Sequence, residues 1–218
     1  MNNSVIQLLV LAGIAIFLIL RLKNVLGTRE GFEKPAVPAP NSSARKNKFE
    51  VIEGGPDQDI TDHVPEGSDT ALALAAMKQA EPSFSVSEFL GGARGAYEMI
   101  LMAFEQGELE KVLPFMSAEV YESLAEVVDA RTERGLTVKA EFLGIREVTL
   151  QEAEFDKSSR EGEVTVRFSS ELISVARNSA GEVVEGDPKE VRRQRDSWTF
   201  ARKMGANDPN WQLVATGE

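Results

Sequence analysis

The chain has 218 residues, 42% of them hydrophobic, which gives room for one sizeable folded domain with appendages. A formal net charge of -11 excludes broad affinity for nucleic acid, because phosphates are repelled. The absence of cysteine excludes disulfides, thiolate metal sites and cysteine nucleophiles and fits a reducing compartment, while the single histidine, His63, confines any serine–histidine triad to that one residue.

Residues 5–22, VIQLLVLAGIAIFLILRL, carry only Gln7 and Arg21 as strongly polar members. At the rise of an α-helix this stretch spans roughly 27 Å, close to the hydrocarbon thickness of a bilayer. A single transmembrane helix is therefore expected within residues 1–30. Its lipid-facing side chains would be Val5, Leu8, Leu9, Leu11, Ile14, Ile16, Phe17, Leu18 and Leu20. A cleaved signal peptide would need a basic leader and a small-residue cleavage site, and neither is present. No cation precedes the segment, whereas Arg21, Lys23 and Arg29 follow it. The positive-inside rule then puts the N-terminus outside and the remainder in the cytoplasm, with a bacterial inner membrane as host.

Residues 31–67 contain Pro35, Pro38, Pro40, Gly54, Gly55, Pro56 and Pro65 and little apolar content, the composition of a flexible linker. Arg45, Lys46 and Lys48 make its first part basic; Glu50, Glu53, Asp57, Asp59, Asp62 and Glu66 make its second part acidic. A tether of this length reaches roughly 35 Å, so a folded domain beyond it stays close to the membrane. DQDITDH (57–63) offers three aspartates and a histidine to a divalent cation. It lacks the glycine and distal glutamate of a calcium loop, so a solvated acidic linker is the better reading and no metal site is expected.

Ser68 or Asp69 can cap a helix over TALALAAMKQA, which stops before Pro82. Ser85 and Glu88 then have capping-box spacing. Behind them Phe89, Ala93, Ala96, Tyr97, Ile100 and Phe104 recur on one helical face as far as Gly107. Gly91, Gly92 and Gly95 fall in the first turns of that helix. A phosphate loop would place glycines between a strand and a helix start and follow them with Lys-Ser/Thr; neither holds. Since each costs about 1 kcal/mol relative to alanine, close backbone approach to a neighbouring sheet or helix is the expected reason for them. A short helix interrupted by Pro114 follows, and then Ser117 caps AEVYESLAEVVDARTER as far as Gly135.

From there the apolar period changes from 3.6 to 2. Strands are expected from about Val138 to Phe155, Glu163 to Arg177, Glu190 to Lys203 and Trp211 to Thr216. Helices first and then strands joined by short turns make an α+β domain over residues 68–218. Its N-terminal helices would pack on a curved four-stranded antiparallel sheet with bulges in the long strands, forming a cone with an internal cavity.

FLGGARGAYEMILMAFEQGELEKVLPFM, VTVRFSSELISVARNSAGEVVEGDP and DSWTFARKMGANDPNWQLVATGE resemble the Tim44-like domain family, from about residue 68 to 218. The resemblance implies a cone-like fold of the nuclear-transport-factor-two type and no catalysis. It implies a membrane-apposed adaptor whose apolar groove binds a protein segment or lipid, and it also resembles the membrane-anchored bacterial members with one transmembrane helix. Residues 23–67 do not resemble the chaperone-recruiting region of the mitochondrial members.

The groove residues this points to are Phe89, Tyr97, Ile100, Phe142, Val166, Phe168, Trp198, Phe200 and Trp211, with Trp198 and Trp211 read first as core and second as a ligand platform. Arg192, Arg193 and Arg195 form a basic run in an acidic protein. They serve either as edge-strand charges that block aggregation or as a contact for lipid headgroups or an acidic partner. No nucleophile and base converge, and no cofactor is implied. A non-catalytic membrane-anchored adaptor at the cytoplasmic face follows, engaged in protein translocation or membrane-protein assembly. Its expected partners are membrane lipid and inner-membrane proteins such as translocase components or a chaperone; a homo-oligomer is compatible with this. The alternative is a small-molecule enzyme or ligand carrier using the cone cavity, which needs an unpaired carboxylate or His63 pointing into the apolar pocket.

Overall fold

The computed structural model describes residues 55–217. The expected anchor positions from Val5 to Leu20 and the linker up to residue 54 lie outside the described residues. Among the described residues no helix is long and apolar enough to cross a membrane.

The described residues begin with four α-helices, α1 (Gln58–Thr61), α2 (Asp69–Ala80), α3 (Val86–Gln106) and α4 (Ala118–Glu133), with a 3-10 helix at Leu109–Phe115 between the last two. The helix starts follow the serines. The Ser68, Ser85 and Ser117 hydroxyls accept from the backbone N–H groups of Ala71, Glu88 and Val120 respectively. Gly107 ends α3 at φ 73°, a left-handed conformation that glycine adopts without a Cβ penalty. Pro114 lies inside the 3-10 turn rather than dividing an α-helix.

Five strands follow: β1 (Thr137–Asp156), β2 (Glu161–Arg177), β3 (Val183–Glu185), β4 (Arg192–Lys203) and β5 (Gln212–Gly217). The sheet is antiparallel in the order β1-β2-β4-β5, and β3 pairs with the end of β2. The expected four strands are all present, and β3 is an addition to the expected count. It is a three-residue return whose signal is too short to read against the turn residues around it. Register shifts at Phe142/Gly144, Ile145/Glu147 and Leu150/Glu152 put bulges along β1, and bulges bend a strand so that the sheet curves toward the helices.

The core lies between that inner face and α2 and α3. Leu74, Met77, Val86, Tyr97, Ile100, Val164, Val166, Phe168, Phe200, Met204 and Leu213 are all essentially inaccessible to solvent. A side chain such as Phe168 contributes about 2–3 kcal/mol by leaving water. Tyr97 stacks on Phe168 with ring centroids 4.4 Å apart and meets Trp198 at 4.7 Å. Its hydroxyl is hydrogen-bonded to Ser170 and donates to Asp196, which also accepts from Gln194.

The packed unit begins before residue 68. Ile60 and Val64, expected in a solvated linker, are buried in the core. The Asp59 carboxylate accepts from the backbone N–H groups of Val86 (2.7 Å) and Ser87 (2.9 Å) and from the Ser85 hydroxyl, and pairs with Lys78 at 2.7 Å. Asp57 takes a second position on Lys78, and His63 is hydrogen-bonded to Ser87. The acidic segment is a strap that satisfies the free N–H groups at the start of α3.

Candidate functional site

Beside the first turns of α3 lies an open groove of about 560 Å³. Phe84, Phe89, Phe200 and Trp211 build its aromatic wall, with Phe89 and Trp211 centroids 4.6 Å apart and Phe84 5.8 Å from Trp211. Met99 and Phe115 close the far side, and Met99 is 39% exposed.

Gly91, Gly92 and Gly95 line this groove. A Cβ added at any of them would meet nothing within 4 Å. The expected close approach to a neighbouring sheet or helix is thus absent: the glycines face open space. The buried face of α3 carries Phe89, Ala93, Tyr97 and Ile100, while Gly91, Gly95 and Met99 recur every fourth residue on the other side. That side is stripped of Cβ atoms over a full turn, so an object in the groove can come down onto helix backbone.

One polar pair closes the end of the groove. Arg202 donates to the Glu81 carboxylate at 2.7 Å, and the Gly205 backbone N–H donates to the other oxygen at 2.7 Å. The guanidinium lies over the Trp211 ring, 5.2 Å from its centroid. Burial alone would raise the Glu81 carboxyl. The Gly205 N–H and the Arg202 guanidinium outweigh it and hold the carboxyl below its ordinary value. Glu81 is therefore ionised and saturated with donors at neutral pH. Glu88, the other acid on the rim, is exposed.

The sequence-predicted groove residues divide. Phe89, Phe200 and Trp211 line the groove. Tyr97, Ile100, Val166, Phe168 and Trp198 do not; they are buried against one another and against the helices as core. Phe142 is half-buried on edge strand β1, 6.4 Å from Tyr97, in a separate small depression beside Arg94 and Gly95. Strand alternation identifies the inner face but not which part of it the helices cover, and they cover most of it. Phe84, Met99, Phe115 and the three glycines were not among the expected groove residues. Their signal was the small-small-Met stripe on α3 opposite its apolar face.

Arg192, Arg193 and Arg195 lie elsewhere, at the start of β4, in a polar depression shared with Arg146, Ser169, Glu171, Gln194 and Asp196.

With the elements in place, the comparison with known proteins is decisive. The model of the Tim44-like domain matches residues 70–218. The chain belongs to the Tim44-like domain family. The human mitochondrial import inner membrane translocase subunit TIM44 is 29% identical over 145 residues, covering 65% of this chain and 31% of that protein. The mouse protein is 28% identical over the same length, and the Arabidopsis thaliana subunit TIM44-1 is 23% identical over 162 residues, or 72% of this chain and 34% of its own. The chain thus matches about a third of the length of these relatives. Among solved structures, the intermembrane space region of the chloroplast protein ARC6 aligns at a TM-score of 0.38 and 10% identity, over 60% of this chain and 92% of that one, a likeness too distant to support a functional statement.

Proposed function

We propose that this chain is a non-catalytic adaptor that holds a protein segment or a lipid chain in the glycine-floored groove. The observation that carries it is the groove itself: aromatic on one wall, stripped of side chains on its floor, with the half-buried Glu81 carboxylate already paired. Such a surface grips apolar material, and the acid set at its end is committed to an ion pair. An enzyme in the same groove needs an unpaired acid or base set among its apolar walls; Glu81 is occupied by Arg202 and Gly205, and Glu88 stands exposed on the rim. A ligand carrier without chemistry is the reading that remains beside the adaptor.

In this proposal residues 5–22 span a bacterial inner membrane with the N-terminus outside, residues 31–54 tether the domain, and the domain works at the cytoplasmic face. Its fold is the cone of the nuclear-transport-factor-two type. The relatives are mitochondrial import inner membrane translocase subunits by name, which favours inner-membrane proteins as partners, in translocation or membrane-protein assembly. The test is a photo-crosslinking residue at Met99 or Ser83 in intact membranes, with a third probe at Val127 on α4 as control. Adducts with membrane proteins or lipid from the two groove positions and not from Val127 support the adaptor. Equal labelling from all three positions, or none, refutes it.

A further inference from the structure

The depression at the start of β4 is organised around one carboxylate. Glu171 on β2 is only 7% exposed, yet the register sets it directly opposite Arg193 on β4 and Gly144 on β1. The bulge after Ile145 turns Arg146 toward it. Glu171 then accepts from Arg146 Nε at 2.8 Å with one oxygen and from Arg193 Nε at 3.1 Å with the other. Those bonds hold the Glu171 carboxyl below its ordinary value, Arg146 contributing most. Two guanidiniums from different strands are thus held over a common centre, with their remaining N–H groups turned to solvent.

Arg195 stands two residues along β4, opposite Ser169, and Arg192 lies beside the same depression. Among the described residues neither makes an ion pair. Among the residues lining the depression of about 950 Å³, four arginines stand against the two carboxylates Glu171 and Asp196, and the nearest further acids, Glu185, Asp187 and Glu190, lie on its rim beside Arg192 and Arg193. This occurs on a chain whose overall charge is -11.

We infer that Arg146, Arg192, Arg193 and Arg195 form a pocket for a phosphoryl group, with Glu171 and Ser169 at its floor. It rests on the reading of the basic run as an anionic contact, and it goes further by adding Arg146 and Glu171 and by naming the ligand class. Guanidinium forks match the oxygens of a phosphate in pairs, which an ammonium does not. An extended acidic peptide fits less well. The segment between β2 and β4 carries Glu182, Glu185, Asp187 and Glu190, the last three beside Arg192 and Arg193, and would repel a run of carboxylates passing over it. A compact oxyanion of about two charges fits inside that rim. It can come from a lipid headgroup or from a soluble phosphate.

The test uses the full chain in nanodiscs and follows the arginine side-chain Nε–Hε NMR signals of Arg146, Arg193 and Arg195. Four preparations are compared: phosphatidylcholine discs alone, the same with inorganic phosphate, the same with an oligoglutamate peptide, and phosphatidylglycerol discs, all against chloride at equal ionic strength. Shifts with phosphate or with phosphatidylglycerol support the pocket, and which of the two is larger tells the soluble source from the headgroup. Arg193→Gln with Arg195→Gln, both at exposed positions, should then weaken binding by about tenfold or more. Glu171→Gln separates a positioned pocket from a diffuse patch. Removing a negative charge tightens binding if only net charge matters, which would overturn the role given to Glu171, and weakens it if the two guanidiniums must be held together. Shifts with oligoglutamate alone would overturn the phosphoryl assignment while leaving an acidic partner. No shift with any anion would overturn the anionic reading as well.

Discussion

Replacing Asp59 by alanine tests whether the acidic strap belongs to the folded domain. Its carboxylate satisfies two backbone N–H groups at the start of α3, takes the Ser85 hydroxyl and pairs with Lys78, while its side chain is 23% exposed. Loss of a helix cap costs about 0.5–2 kcal/mol, and loss of a hydrogen bond to a charged group about 1.5–3 kcal/mol. The terms overlap, because Lys78 keeps Asp57 and water reaches the helix end once the strap loosens. A destabilisation of about 2–4 kcal/mol is expected. Burial alone would raise the Asp59 carboxyl. Lys78 and the donors of Ser87 and Val86 outweigh it, so its pKa falls well below the ordinary 3.8. With a folded pKa below the unfolded one, the contribution is complete above about pH 4 and is lost as pH falls further. The assay is urea unfolding of the full chain in detergent micelles, followed by Trp198 and Trp211, which are the only tryptophans and both lie in the domain. The gap between wild type and Asp59→Ala should be constant from pH 7 to about pH 4.5 and should shrink below that. A gap under about 0.5 kcal/mol, or one independent of pH in the acid range, would mean that the Asp59 carboxylate contributes nothing to the fold and that the capping role given to the strap is wrong.

Three further outcomes are expected. Gly95→Leu should raise stability by about 0.5–1 kcal/mol, because a Cβ there meets nothing, yet abolish crosslinks from Met99; a loss of both would make the glycine a packing residue. Glu81→Gln should cost about 2–3 kcal/mol in the same unfolding assay by leaving a guanidinium that is only 8% exposed without its countercharge, and Arg202→Met on top of it should recover part of that loss. Tyr97→Phe should cost about 1–3 kcal/mol by leaving Ser170 and Asp196 short of a partner, while near-ultraviolet circular dichroism stays close to that of the wild type, since the ring still stacks on Phe168.

Elements whose cause is local were legible in the sequence. Ser85, Ser68 and Ser117 mark helix starts and Gly107 a helix end because caps act over three or four residues. The alternation from Val164 to Leu172 gave the inner face of β2 for the same reason. What failed depended on partners far along the chain. Residues 57–67 carry the composition of a linker, but Ile60 and Val64 find the core, and the Asp59 contacts lie 26 to 28 residues away. The capping box is half-formed: Ser85 receives the Glu88 N–H, and Asp59 rather than Glu88 occupies its hydroxyl proton and the next two N–H groups. Arg146 became visible only through a bulge, since β1 alone does not show which face a residue takes after a register shift.

The glycines of α3 carry the functional argument furthest because folding alone does not call for them. They sit in ordinary helical backbone, not at a turn, so their freedom at positive φ is unused. They touch no neighbour among the described residues, so no close packing within the described domain depends on them. Together they cost the helix about 2–3 kcal/mol relative to alanine, a large part of what a marginally stable domain has to spare. Trp211 and Met99 stand beside them partly exposed, which also costs folding free energy. Two independent sacrifices of stability at one place are what a surface shaped for an absent apolar partner predicts. A surface shaped only by folding predicts alanines there and a covered tryptophan.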